Sequence, residues 1–83
     1  MKVLYFAWVR QRTGTGEEIV EVPDSVSTVA ELAAHLARRD EGYAAAFENM
    51  DVIRAAVDQE HVDLDHPIAG AREVAFFPPV TGG

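Results

Sequence analysis

The sequence predicts an α+β fold in which one main helix crosses a mixed sheet. Runs rich in β-branched and aromatic residues open and close the 83-residue chain. Between them lies a capping box followed by a single apolar stripe at helical spacing. The other apolar runs are short and bounded by Gly, Pro and Asp turns. A hairpin, a crossing helix and returning strands fit an α+β roll.

Taken in order, Val3 to Val9 reads as the first strand, with Val3, Tyr5, Ala7 and Val9 on one face and Leu4, Phe6 and Trp8 on the other. Thr13-Gly14-Thr15-Gly16 is a turn, and Glu18 to Val22 resumes the strand pattern up to Pro23, making a hairpin. Thr28-Val29-Ala30-Glu31 is the capping box. The helix after it stacks Val29, Leu32, Ala33, Leu36 and Ala37 on one face. Arg38-Arg39 suits its negative end, and Gly42 is expected to stop it. Tyr43 to Phe47 adds one short helical turn.

Val52 to Val57 reads as a third strand with Ile53, Ala55 and Val57 inward. His61 to Leu64 is a short strand, and Asp65-His66-Pro67 and Ala69-Gly70 are turns. Arg72 to Phe77 is the last strand, stopped by Pro78-Pro79, which cannot donate to a ladder. The length suits one domain, residues 1–83, with a tail from about residue 79.

Composition narrows the function. There is no cysteine, which excludes disulfides, thiolate metal sites and cysteine nucleophiles. The net charge is −7, with Lys2 the only lysine. Such a surface disfavours nucleic acid and anionic membranes and suits a partner with a basic docking face. No apolar run approaches a membrane span, and the N-terminal run lacks a cleavage site, so a cytoplasmic location is expected.

No self-contained catalytic constellation is visible. His35, His61 and His66 lack ligand spacing, so no metal is expected. Asp63 and Asp65 lack the further ligands of a calcium loop. There is no phosphate loop, dinucleotide fingerprint or basic stripe. The apolar pattern says more. If Val3 and Val74 lie under the helix, then Phe6, Trp8 and Phe77 fall on the open side of the sheet, a grouping that marks a docking patch. His61 falls on the same side.

The last residues, Val80-Thr81-Gly82-Gly83, offer a narrow, side-chain-poor tail. Fully extended, it reaches roughly 13 Å beyond the fold. Glycine enters backbone regions closed to other residues, so Gly82-Gly83 can thread a channel and present a carboxylate.

Phe76-Phe77-Pro78-Pro79-Val80-Thr81-Gly82-Gly83, together with Val3-Leu4-Tyr5-Phe6-Ala7 and Val9-Arg10, resembles the small-subunit family of molybdopterin synthase. Ala56-Val57-Asp58-Gln59 and Asp65-His66-Pro67 match similar runs of that family, and the likeness spans essentially the whole chain. The resemblance implies a ubiquitin-like β-grasp fold and a sulfur-carrier role. It implies that a ubiquitin-activating-like adenylyltransferase uses ATP to form an acyl-adenylate at Gly83, and that a sulfur donor protein converts it to a thiocarboxylate. It further implies that Val80, Thr81 and Gly82 insert into the large synthase subunit, and that sulfur passes to a cyclic pterin precursor. Phe6, Phe77, Pro78 and Pro79 would meet that subunit. The chain itself would hold no permanent cofactor, and its partner would supply the acids, bases and pterin-binding cations. A carrier for another pathway, such as thiamine thiazole synthesis, a ubiquitin-like protein modifier and a plain interaction module remain alternatives.

Overall fold

The first and last strands lie side by side at the centre of the sheet. In the computed structural model, which describes residues 1–79, β1 (Lys2–Tyr5) pairs in parallel with β5 (Glu73–Phe77). β2 (Glu17–Ile19) runs antiparallel to β1 at one edge. β3 (Arg54–Val57) is antiparallel to β5, and β4 (Glu60–Val62) closes the other edge. The order β2-β1-β5-β3-β4 is the mixed sheet expected.

The main helix, α2 (Val29–Ala37), starts where the capping box placed it. The Thr28 hydroxyl accepts from the Glu31 N–H at 3.2 Å, and the Glu31 carboxylate accepts from the Thr28 N–H at 3.1 Å. The next free N–H groups of the helix are also satisfied. Val29 donates to the His66 carbonyl and Ala30 to that of Leu64, so the Asp65-His66-Pro67 turn holds the helix entrance. Val29, Leu32, Ala33 and Leu36 are buried in one cluster with Val3, Tyr5, Val57, Val74 and Phe76. Each large aliphatic side chain removed from water contributes about 1.5–3 kcal/mol.

The first strand is shorter than its sequence suggests. It ends at Tyr5, and Ala7–Thr13 is a helix, α1. Ala7 has φ +53°, a left-handed turn that takes the chain out of the sheet. The Phe6 carbonyl then accepts from the N–H groups of Val9 and Arg10, and Gly14, at φ +83°, closes the helix by donating to Arg10. Val9 is buried as expected, but from a helix. β1 and β2 therefore pair antiparallel across a helical connection instead of a tight hairpin, and β2 stops at Ile19 instead of Val22.

Gly42 does not stop α2. That helix ends at Ala37 with Arg38 as its cap, so Arg39 lies beyond it. A new helix, α3 (Glu41–Ala46), begins with the Asp40 carboxylate accepting from the Tyr43 N–H. Gly42 lies inside α3 because a Cβ there would collide with the Arg12 carbonyl of α1. Met50–Val52 forms a 3-10 turn, so β3 starts at Arg54 instead of Val52, and β4 ends at Val62 instead of Leu64. Ile53, Ala55 and Val57 are buried as expected.

Candidate functional site

Cross-strand partners share a face of the sheet, so the registers define the side opposite α2. Val3 pairs with Val74 and Tyr5 with Phe76, and all four are buried beneath the helices. The intervening residues point the other way. Leu4 pairs with Ala75, Ala75 with Ala56, and Ala56 with His61. Phe77 pairs with Arg54. Phe6 follows Tyr5 in register beside Phe77, and its N–H donates to the Phe76 carbonyl at 3.1 Å.

The open face thus carries Phe6 and Phe77 at the end of the sheet from which the chain continues into Pro78 and Pro79. Phe6 is 48% exposed, and Phe77, Pro78 and Pro79 are half-buried. The His61 imidazole lies 5.1 Å from the Phe77 ring, tilted by 47°. Ile19, 76% exposed, stands at the far corner of the same face beside Lys2. Trp8 does not join this patch. Carried by α1, it packs half-buried against the core with the Arg12 guanidinium 4.7 Å above its ring. The shift from strand to helix at Ala7 is the cause.

The opposite side of β1 holds a cluster that sequence patterning missed. Glu18 of β2 accepts from the Tyr5 hydroxyl at 2.8 Å and from the Tyr43 hydroxyl at 2.7 Å, and pairs with Arg39. Burial pushes the Tyr5 hydroxyl far above its ordinary range, and Glu18 pushes it further. Burial also raises the Glu18 carboxyl, but hydrogen bonds from Tyr43, Arg39 and Tyr5 outweigh it and hold the group below the ordinary carboxylate range. These contacts tie β1, β2 and α3 together behind the residues of β1 that present the open face.

Val80, Thr81, Gly82 and Gly83, the expected tail and its reacting end, lie outside the described residues. Asp63, Asp65 and His66 line a shallow groove with Arg54, His61 and Val62, while His35 lies on α2. Among the described residues, no group of three or more His, Asp or Glu is placed to hold a metal ion. No helix of the described residues is long and apolar enough to cross a membrane.

The family model described as the ThiS family matches residues 3–83. The molybdopterin synthase sulfur carrier subunit of Escherichia coli (strain K12) is 46% identical over 83 residues, which cover 100% of this chain and 99% of that protein. The subunit of the same name from Haemophilus influenzae is 32% identical with the same coverage. The crystal structure of SAMP1 from Haloferax volcanii superposes with a TM-score of 0.71 at 28% identity, covering 100% of this chain and 98% of that one. The fold is a ubiquitin-like β-grasp.

Proposed function

The chain belongs to the ThiS family, and from that premise we propose that it is the sulfur-carrier subunit of a molybdopterin synthase. The observation that carries this reading is the full-length match to relatives bearing that name, one of them 46% identical. The geometry supports it. β5 lies at the sheet centre and runs straight into Pro78-Pro79, so the segment beyond starts from a firmly held root. Proline fixes φ, which limits the ordering entropy lost when such a tail enters a channel.

The chemistry explains why the tail is bare. A carboxylate is a poor electrophile until one oxygen becomes part of a leaving group. The Gly83 carboxylate attacks the α-phosphate of ATP, held by an adenylyltransferase, and pyrophosphate departs. A sulfur nucleophile from a donor protein then attacks the acyl carbon, and AMP leaves. With a persulfide as that nucleophile, a thiol then attacks the donor's inner sulfur, the S–S bond breaks to leave a disulfide on the donor side, and the acyl group departs as a thiocarboxylate, an ionised and polarisable nucleophile at neutral pH. Val80, Thr81 and Gly82 carry it into the large subunit, which supplies the acids, bases and cations for transfer to a cyclic pterin precursor. The use of ATP suits a cytoplasmic location. Phe6, Phe77, Pro78 and Pro79 form the face on which the large subunit docks.

Intact mass of the protein purified from its native cells tests the reading. A fraction heavier by the replacement of one oxygen with sulfur is expected, and it should disappear in cells lacking the adenylyltransferase. Isopeptide-linked adducts on other proteins, with no such fraction, would favour a protein modifier instead.

A further inference from the structure

We propose that Arg54 and His61 form a polar corner of the docking face that selects a partner surface carrying a carboxylate opposite Phe77. This rests on the reading that the open face docks the large subunit. Phe77 is flanked on two strands by polar side chains. Arg54 is its register partner on β3, and the His61 ring on β4 lies 5.1 Å from its own. The Arg54 Nη1 donates to the carbonyls of Asp51 and Ile53 at 3.0 and 3.1 Å, which holds the guanidinium at the start of β3. Among the described residues neither Arg54 nor His61 is in an ion pair. Asp63, Asp65 and His66 share their groove.

A partner that covers Phe77 also covers this corner and strips water from its donors. A guanidinium carries five N–H donors, and the two carbonyls engage only Nη1 of Arg54. Donors buried without an acceptor are costly, and a buried unpaired charge more so. A carboxylate satisfies a guanidinium with two parallel bonds and leaves a neighbouring imidazole an acceptor as well. An apolar partner patch satisfies neither.

Calorimetry with the cognate large subunit, at low and high ionic strength, tests this with Arg54→Gln, His61→Leu and Phe77→Ala. Both polar residues are exposed, so melting temperatures of the first two variants should match the parent. Arg54→Gln should weaken binding by about tenfold or more at low salt and by less at high salt. His61→Leu should also weaken it, although leucine would suit an apolar partner better. Unchanged or tighter binding by either variant, with Phe77→Ala weakened, overturns the carboxylate-bearing partner while the docking face stands. Unchanged binding by all three removes the docking face itself.

Discussion

Glu18 Oε2 accepts a 2.7 Å hydrogen bond from the Tyr43 hydroxyl, joining the edge strand β2 to α3 across 25 residues of sequence. The same oxygen accepts from Tyr5, and Arg39 closes the cluster. One carboxylate therefore anchors the edge of the sheet to the helical layer.

That anchor makes the fold sensitive to acid. The folded Glu18 carboxyl titrates below its ordinary range. Its stabilisation is complete above the unfolded value of about pH 4.3 and is lost as pH falls through the folded value. Glu18→Gln should therefore be less stable at neutral pH by about 1–2 kcal/mol, a figure reduced because Arg39 is partly exposed. Urea denaturation at pH 7 and pH 3 checks this. The difference should shrink at pH 3, and a constant difference would assign the cost to packing instead of charge.

The β3–β4 turn carries removable strain. Asp58 and Gln59 have φ of +48° and +73°, the left-handed pair of a two-residue hairpin. Asp58 belongs there because its Oδ1 accepts from the N–H groups of Arg72 and Glu73 at 2.9 and 3.0 Å. Gln59 makes no such contact among the described residues. Gln59→Gly should stabilise the fold by about 0.5 kcal/mol, the relief of strain exceeding the extra chain entropy. Asp58→Ala should cost about 1–2 kcal/mol by stripping both N–H groups of their acceptor. Thermal melts of the two variants should shift in opposite directions.

The sequence made the main helix legible because it was written in a local pattern. Thr28 and Glu31 stand at capping-box spacing, and the Val29-to-Leu36 stripe has one period. The strand-to-helix switch at Ala7 was not legible. Val3 to Val9 is a continuous apolar run of seven residues, and periodicity cannot separate a strand from a strand joined to a helical turn in so short a run. Gln11-Arg12 before Gly14 was the available cue, helix formers ahead of a C-terminal glycine. Gly42 misled for a related reason. Glycine marks a helix end and a close helix crossing alike, and only the position of the Arg12 carbonyl tells them apart. The Phe6–Phe77 juxtaposition was readable from alternation. The Glu18 cluster was not, since Tyr5, Glu18, Arg39 and Tyr43 come from four separate segments.

The helix crossing at Gly42 should be intolerant of even a methyl group. The neighbour is backbone, which cannot rotate away, and the Arg12 side chain adds a hydrogen bond to the Ala45 carbonyl at 3.0 Å. Gly42→Ala should separate α1 from α3 and cost about 1–3 kcal/mol, against the gain in helix propensity that alanine normally brings. A urea midpoint equal to or above the parent's would mean that the two helices are free to move apart.

Affinity and chemistry should divide between the patch and the tail. Phe6 and Phe77 sit on a sheet already ordered, so contacts they make are not offset by the cost of ordering backbone. A central, desolvated aromatic contributes about 2 kcal/mol or more, and about 1.4 kcal/mol is a decade of affinity. Phe77→Ala should therefore weaken the large-subunit complex by at least about tenfold. It should lose product only at low partner concentration. Removing Gly82-Gly83 should leave binding close to that of the full chain and abolish sulfur transfer at every concentration, because the acyl carbon proposed to carry the sulfur is removed with Gly83. A titration with the large subunit, reading bound fraction and pterin product together, separates the two. Raising the subunit concentration should rescue Phe77→Ala and never the truncated chain. Product from the truncated chain, or its failure to bind, would overturn this division.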